Sequence, residues 1–512
     1  MTDHRAPAHL RRIGRGGSQN LAASGVAALL GMLLSIVVAR AFTTTDNGLY
    51  LAATSVVLLI ATVTRLGTAI GLVYWVSRLR ELGRYHEIPH VLRLALQPVV
   101  ALSVVTAVLM FVLAPRVSDL LLGCNQAECS HTGASMLRAL AVALPAIVLL
   151  DSLLGASRGF GTMKPTAVLD RIARPSAQLL LTVIAILMGG LLAVTVAWAL
   201  PYFALVVIAG WWLTKQVRFS AQQAEPLTED PPVKHSVLRK EFWTFTWPRA
   251  ITSVVQAARQ RFDIVLVSAI SGPTEAALYG IASRFLVVGQ LTNSALALAA
   301  QPHVASMATA DRKDSISAVY RSTTTWIILL NGPLYVGVAI FSPLILSLFG
   351  PQYVHAWPVT VTLCIAAFLG NGSGMVDVML SMTGRTSATL ANSLGALITQ
   401  VVLLLALVPT WGAFGAAIAW GVSIVVINAM SVVQLARSDG IHPFESGTGY
   451  AVLSNFVCVG VPAGIFALWL GETWLAFGLS LVVCSACYVG FARIFRRQLH
   501  IPELVAALRR SQ

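Results

Sequence analysis

The chain contains few charged residues for its length. Only 11% of its 512 residues are Asp, Glu, Lys or Arg, whereas an ordinary soluble domain contains about 25%. Because 56% of the residues are hydrophobic, a soluble fold would leave large apolar surfaces in contact with water. No polar stretch between the apolar runs is long enough to fold as a separate domain. The composition therefore excludes a soluble enzyme and predicts one continuous membrane domain.

Motifs for nucleotide hydrolysis and metal binding are also missing from the sequence. It contains no Gly-rich phosphate loop of the Walker type and no zinc-ligand spacing. The longest loop predicted to face outward, near residues 115–132, contains only Asp119 and Glu128 as acids. A membrane glycosyltransferase would need catalytic carboxylates or a larger external domain. We therefore expect no enzyme, no cofactor and no metal site.

Long apolar runs recur from one end of the chain to the other. A membrane helix needs about 20 predominantly apolar residues, and these runs lack the alternation of a membrane β-strand. The sequence therefore predicts an all-α polytopic membrane protein with about 14 transmembrane helices. The predicted spans lie near residues 19–41, 50–76, 92–114, 133–156, 166–188, 190–213, 245–270, 277–300, 323–349, 356–382, 387–409, 412–436, 449–470 and 473–492.

Basic residues concentrate in every second loop between the predicted spans. A net charge of +14 would suggest a nucleic-acid partner in a soluble protein, but this alternation is the positive-inside pattern of a membrane protein. We predict a multi-pass protein of the inner (plasma) membrane with both termini cytoplasmic and no nucleic-acid partner. The residues assigned to cytoplasmic loops are Arg78, Arg80, Arg84, Arg93, Arg158, Lys164, Arg171, Arg174, Lys215, Arg218, Lys234, Arg239, Lys240, Arg312, Lys313, Arg321, Arg385 and Arg437.

Two of the six cysteines share the longest outward loop. Cys124 and Cys129 lie there, while the other four cysteines lie in apolar runs. An oxidising exterior permits a disulfide between them, and we name this pair as the disulfide candidate. Two unpaired thiols in a flexible loop are the alternative.

Short patterns recur along the chain at similar separations. All of the separations are about 222 to 229 residues, so the patterns support one another. Because six predicted helices separate the members of each pair, both members cross the membrane in the same direction. We therefore predict two parallel-repeat six-helix bundles around a central cavity, plus two C-terminal helices. The recurring patterns are Thr45–Tyr50 with Thr274–Tyr279, Gly161 with Gly384, and Gly190 with Gly412.

The repeat also predicts the domain organisation. Residues 1–213 would form the N-terminal bundle and residues 245–436 the C-terminal bundle. The polar, proline-containing segment 214–244 reads as a cytoplasmic linker between them. Residues 437–512 would contain the last two helices and a basic cytoplasmic tail.

Loose patterns with a family resemblance are spread over nearly the whole chain. They are the first helix from Asn20 to Arg40, Asp46–Tyr50, Trp247-Pro248, Asp263, Gly272–Ala282, Gln301-Pro302, Leu348–Gly350 with Tyr353, and Gly412–Ala419. The chain resembles the multidrug/oligosaccharidyl-lipid/polysaccharide (MOP) exporter superfamily, and within it the Wzx-type polysaccharide flippases. This resemblance implies a transporter whose helices 1, 2, 7 and 8 line the central cavity.

Several basic residues lie at membrane depth, where charge is costly and usually faces a cavity or a partner. Arg65 lies in helix 2, Arg259 and Arg261 lie in helix 7, and Arg284 lies in helix 8. Arg40 lies at the outer end of helix 1. Guanidinium groups suit phosphate because their planar donors bind its oxygens in pairs. We predict that these arginines form a cationic cavity that binds an anionic substrate.

Three carboxylates in the spans are candidates for ion coupling or for pairing with the arginines. Asp263 lies in helix 7, whereas Asp151 and Asp377 lie nearer the inner ends of helices 4 and 10. Asp263 follows Arg259 by four residues, so a salt bridge within the helix is the alternative role for these two residues.

The helical geometry limits how many of the arginines face the cavity. Arg259 and Arg261 point about 200° apart on a regular helix, so a single face cannot present both. For Arg65 and Arg284 the alternative is charge pairing with a neighbouring helix. Arg249 lies close enough to the inner surface to extend its charge into water, so we leave it out of the predicted site.

The resemblance and the cationic spans together predict a flippase. It would move a polyprenyl-(pyro)phosphate-linked sugar or oligosaccharide from the cytoplasmic to the outer leaflet by alternating access, for cell-surface polysaccharide biosynthesis. Its partners would be this lipid-linked glycan, membrane lipids and other polysaccharide-assembly membrane proteins. One alternative is a cation-coupled multidrug antiporter of the same superfamily, which should contain a buried acidic cluster. The other is a flippase of the peptidoglycan precursor lipid II.

Overall fold

The computed structural model describes residues 6–124, 126–222, 235–309 and 313–502, and this part of the chain is almost entirely helical, without a β-strand. The helices are α1 (Ala6–Ala41), α2 (Thr44–Thr64), α3 (Thr68–Glu81), α4 (Ile88–Leu121), α5 (Ala127–Gly159), α6 (Arg174–Met188), α7 (Leu191–Gln222), α8 (His235–Ser271), α9 (Pro273–Ala282), α10 (Arg284–Thr309), α11 (Lys313–Ile340), α12 (Ser342–Leu346), α13 (Trp357–Asn371), α14 (Val376–Met382), α15 (Thr386–Asp439), α16 (Ser446–Asn455), α17 (Val461–Leu470) and α18 (Trp474–Ile494). The irregular helical segments are 3₁₀-helices at Tyr85–Glu87 and Pro351–Ala356 and π-helices at Thr166–Ala173 and Phe456–Gly460.

Eleven helical segments in the described residues are long and apolar enough to cross a membrane. One of them, α15, contains two predicted spans, which meet where Gly412 adopts φ 52° and ψ −132°. The predicted seventh span corresponds to α8, and the predicted eighth span corresponds to α9 and α10 together. The predicted all-α polytopic fold is therefore confirmed.

The described residues divide into two compact units, the first of which comprises Gly16–Ala276. Its central helix is α5, which packs against α2, α3, α4 and α7, while α8 packs against α2, α3 and α4. Contacts thus group α8 with the helices that precede it in the chain. The predicted bundle boundaries stay a prediction, since residues 223–234 of the predicted linker lie outside the described residues.

The remaining described residues form the second unit. In this unit α11 packs against α10, α13 and α16, and α15 packs against α13 and α14. The segment after α18 also packs into this unit, because Leu499 is fully buried and the Trp326 indole N–H donates to the His500 carbonyl at 3.2 Å. The predicted basic tail beyond residue 502 lies outside the described residues.

The loop between α4 and α5 is held by covalent and polar contacts. A disulfide joins Cys124 to Cys129, whose Cα atoms lie 5.4 Å apart. Just before it, the backbone carbonyl of Leu122 accepts a hydrogen bond at 3.0 Å from the Ser268 hydroxyl near the end of α8. The loop therefore attaches the end of α4 to the end of α8 within the first unit.

The predicted second span is not one helix, because it breaks between α2 and α3. The backbone at the break is left-handed, with φ 51° at Leu66 and φ 71° at Gly67. Glycine adopts this conformation at little cost, whereas residues with a side chain rarely do. A Cβ atom at Gly67 would also lie only 2.8 Å from the Ala250 backbone nitrogen on α8. Gly67 therefore permits both the turn and the close approach of α8, which sequence hydropathy does not reveal.

We expect Gly67→Ala to destabilise the protein, because it adds a side chain to a left-handed residue that lies against a neighbouring backbone. Strain of this kind costs about 1 to 3 kcal/mol. Thermal unfolding of the detergent-purified protein should show a melting temperature several degrees lower than that of the unmodified protein. The control is Gly31→Ala, since nothing lies within 4 Å of a Cβ atom there. Equal melting temperatures for the two variants would contradict this account of the break.

Candidate functional site: a polar cavity in the first unit

A polar cavity of about 380 Å³ lies inside the first unit. Residues from α2, α5, α6, α7, α8 and the π-helix Thr166–Ala173 line it, so several predicted spans contribute to one site. The lining residues are Leu58, Ala61, Thr62, Arg65, Ile147, Leu150, Asp151, Leu154, Asp170, Arg174, Tyr202, Ser253, Gln256, Ala257, Gln260 and Arg261. Three arginines and two aspartates thus meet in one cavity, together with several uncharged polar residues.

Arg65 lies at the break between α2 and α3 and forms an ion pair with Asp151 of α5. Its Nη2 atom also donates to the Thr62 hydroxyl at 2.7 Å. The break is itself fixed against α5, because the Thr68 hydroxyl donates to the Arg65 carbonyl at 2.8 Å and lies 3.2 Å from the Ser152 hydroxyl. Arg65 is therefore both a cavity residue and half of an interhelical ion pair.

A second ion pair joins Arg174 to Asp170 and lines another part of the cavity. Arg174 Nε donates to Asp170 Oδ1 at 2.9 Å, and its Nη1 lies 3.5 Å from the Tyr202 hydroxyl. The segment before Arg174 is a π-helix. Pro175 explains this irregularity, because its ring nitrogen has no N–H to donate to an upstream carbonyl.

The assignment of Arg174 to a cytoplasmic loop is therefore wrong. Arg174 is the first residue of α6 and lines the cavity. The sequence reading also missed Asp170 and Tyr202 as site residues. A signal was present, since Asp170 and Arg174 have the i, i+4 spacing of a helical ion pair at the start of the predicted span 166–188. Because Asp170 and Arg174 lie near the end of a predicted span, they resembled the charged residues of a loop.

Arg261 is the arginine of the cavity that makes no close salt bridge among the described residues, although Asp263, which does not line the cavity, attracts it electrostatically. In the part of the chain that the structure describes, its guanidinium makes neither a hydrogen bond nor a close ion pair. The charges of Arg65 and Arg174 are each balanced by the charge of an aspartate. Arg261 therefore gives the cavity lining an excess of one positive charge. The neutral amides of Gln256 and Gln260 line the cavity from the same helix and add donors and acceptors.

The other predicted site residues do not line this cavity. Arg40 is exposed in the last turn of α1, and Asp263 is buried, where its Oδ1 accepts from the Ile264 backbone N–H at 2.8 Å. Arg259 is on α8, yet it is not among the lining residues. The second unit contains Arg284, at the start of α10, and Asp377, in the first turn of α14. From the predicted set the cavity brings together Arg65, Asp151 and Arg261.

The lining chemistry suits binding of an anionic, polar ligand. A guanidinium without a close salt bridge attracts an anion, and amide and hydroxyl groups can hydrogen-bond a neighbouring polar group. No group of three or more His, Cys, Asp or Glu side chains among the described residues could hold a metal ion. The arrangement can therefore bind a ligand that combines an anionic group with hydroxyl groups.

We expect Arg65→Ala to reduce the amount of folded protein, because it leaves Asp151 as an unpaired charge. Breaking a buried pair on one side costs about 3 to 5 kcal/mol, and the partial exposure of this pair should make the loss smaller. The double variant Arg65→Ala, Asp151→Ala removes both charges and should recover most of the protein. The measurement is the monodisperse peak area of detergent-extracted protein. A double variant no better than Arg65→Ala would contradict a stabilising role of the ion pair.

Comparison with protein families finds one matching family model. It is described as Polysaccharide biosynthesis protein and matches residues 13–308, which is more than half of the chain. A search of curated proteins finds the probable low-salt glycan biosynthesis flippase Agl15 of Haloferax volcanii, 21% identical over 207 residues. That match covers 40% of this chain and 44% of the relative, so the chain aligns with less than half of the relative's length.

Solved structures share the fold at low sequence identity. The lipid II flippase MurJ in an inward closed conformation superposes with a TM-score of 0.71 at 14% identity, over 93% of this chain and 98% of that one. An inward-facing multidrug resistance MATE family transporter of the MOP superfamily gives a TM-score of 0.61 at 15% identity, over 81% and 95%. A MOP superfamily transporter from Pyrococcus furiosus gives 0.54 at 15% identity, over 87% and 97%. At these identities the likeness shows the fold alone.

Proposed function

Because the chain belongs to the polysaccharide biosynthesis protein family, we propose that it is a flippase for a lipid-linked glycan. It moves a polyprenyl-(pyro)phosphate-linked sugar or oligosaccharide from the cytoplasmic to the outer leaflet of the plasma membrane. The observation that carries the proposal is the polar cavity of the first unit, whose lining has three arginines and two aspartates and in which Arg261 makes no close salt bridge. The curated relative with a flippase name supports it.

The cavity chemistry matches the two parts of such a head group. Arg261 binds the phosphate, because a guanidinium keeps its charge and presents paired donors to phosphate oxygens. Gln256, Gln260 and Ser253 provide hydrogen-bonding partners for sugar hydroxyls. Without such partners, each hydroxyl or charge that entered the hydrocarbon would lose its hydrogen bonds to water, which costs several kcal/mol. The cavity removes that barrier while the lipid tail stays in the bilayer.

The aspartates of the cavity do not form the free acidic cluster expected of a cation-coupled drug antiporter. Asp151 and Asp170 are both paired with arginines, and Arg261 opposes entry of a cationic drug. A glycan flippase and a lipid II flippase share the anionic lipid head group, so the sugar distinguishes them. The proposal assigns no catalytic step to the chain, and export follows from alternating access to the two sides of the membrane.

We expect Arg261→Gln to abolish export while leaving protein levels near normal, because this guanidinium makes no close salt bridge that its removal would break. Arg261→Lys should restore only part of the activity, since lysine keeps the charge but loses the paired donors. The measurement is complementation of a deletion strain, scored by surface glycan and by accumulation of the lipid-linked intermediate. The neighbouring Arg259→Gln is the matched comparison, because Arg259 does not line the cavity. Full export by Arg261→Gln would contradict the proposal.

The proposed orientation predicts which sites are reachable from outside the cell. In a cysteine-free background, a thiol at Glu472, between α17 and α18, should react with a membrane-impermeant maleimide in intact cells. A thiol at Gln222, the last residue of α7, should react only after the membrane is opened. Both residues are exposed, so access and not burial decides the result. The reverse labelling pattern would invert the proposed topology.

A further inference from the structure

Arg249 of α8 belongs to a stack of side chains outside the cavity. The rings of Tyr74 and Phe245 are stacked, with centroids 3.9 Å apart and an interplanar angle of 18°. The Arg249 guanidinium carbon lies 3.6 Å from the centroid of Phe245. At these distances Tyr74 and Arg249 cannot both lie on the same face of the Phe245 ring. Phe245 therefore lies between Tyr74 and Arg249. The three residues belong to the first unit.

The stack orients the guanidinium but leaves it without a counter-charge. Arg249 Nη1 donates to the Phe245 carbonyl at 2.7 Å, so the side chain is fixed by a hydrogen bond and by the ring. Among the described residues no carboxylate forms an ion pair with Arg249. Arg249 is half-buried. None of its N–H groups is a fully buried donor that lacks a hydrogen-bond partner. An oriented cation with spare donors is suited to a phosphate.

The position of the stack relates it to the cavity. Arg249 precedes the cavity residue Ser253 by four residues, which is about 6 Å along a helix, and precedes Arg261 by about 18 Å. The break at Gly67 packs against Ala250, which directly follows Arg249 and precedes the cavity residues of α8. The stack therefore lies on α8 about one turn before the cavity begins, at the end of α8 that is predicted to be cytoplasmic.

We propose that Arg249 is a second phosphate-binding position, which takes the phosphate of the substrate lipid before Arg261 does. This inference rests on the proposed flippase function. The phosphate comes from the polyprenyl carrier, although a bulk phospholipid head group offers the same chemistry. Phe245 is a positioning residue, because it holds the guanidinium in place. Tyr74 supports Phe245 from its other face and is itself 40% exposed, so it leaves an aromatic surface that a sugar can contact.

The test measures binding of farnesyl diphosphate to the purified full-length protein in nanodiscs of phosphatidylcholine. Arg249→Gln should raise the dissociation constant about tenfold, because it removes charge-assisted hydrogen bonds. Phe245→Leu should raise it less, since the guanidinium remains but is held more loosely. Arg239→Gln is the matched control, an exposed arginine of the same helix, and should bind as the unmodified protein does. Equal melting temperatures would exclude loss of fold as the cause.

Further measurements distinguish phosphate of the polyprenyl carrier from phosphate of bulk lipid. They also distinguish failure of this inference from failure of the proposed function. Farnesol, which lacks the diphosphate, should bind equally to the unmodified protein and to Arg249→Gln. If the effect of Arg249→Gln appears only in nanodiscs with anionic phospholipid, Arg249 is a bulk-lipid contact and the inference is overturned. If Arg249→Gln and the unmodified protein bind farnesyl diphosphate within twofold of each other, the inference alone fails. If the unmodified protein does not bind this probe, the proposed function fails as well.

Discussion

The ion pair between Arg65 and Asp151 is the interaction on which the cavity depends. It places two charges inside predicted membrane spans, where an isolated charge would be costly. The pair joins the break between α2 and α3 to the C-terminal part of α5, the central helix of the first unit. The same break needs Gly67, whose lack of a side chain lets α8 approach closely. The ion pair, the break and the position of α8 are thus one connected arrangement.

This arrangement divides the cavity arginines into two kinds. Arg65 and Arg174 are each paired with an aspartate and hold helices together, so they shape the cavity. Arg261 makes no close salt bridge in the described chain and so remains able to attract a ligand anion. One excess positive charge favours binding of a phosphate. Because only one charge is left without a close counter-charge, the desolvation cost of the empty cavity stays small. Binding and structural support therefore reside in different side chains.

Much of the fold follows from hydropathy, but much of the site does not. The length of the apolar runs predicts the all-α polytopic fold, and the resemblance to the MOP superfamily is confirmed by the family match and the shared fold. Charges inside the spans point to Arg65, Asp151 and Arg261. Averaged hydropathy cannot detect a three-residue break. Arg174 was assigned to a loop because its position near the end of a predicted span made it resemble a loop charge. Arg249 was left out of the predicted site because it lies close enough to the inner surface to extend its charge into water, and its packing against Phe245 is not visible in one sequence.

The most direct test of the account is an experimental structure of the full-length protein with a polyprenyl diphosphate bound. The account predicts phosphate density within hydrogen-bonding distance of the Arg261 guanidinium, with the Arg65–Asp151 pair intact and the lipid chain directed out of the cavity. Diphosphate bound away from the cavity of the first unit, or bound to Arg65 with Asp151 displaced and Arg261 empty, would contradict it.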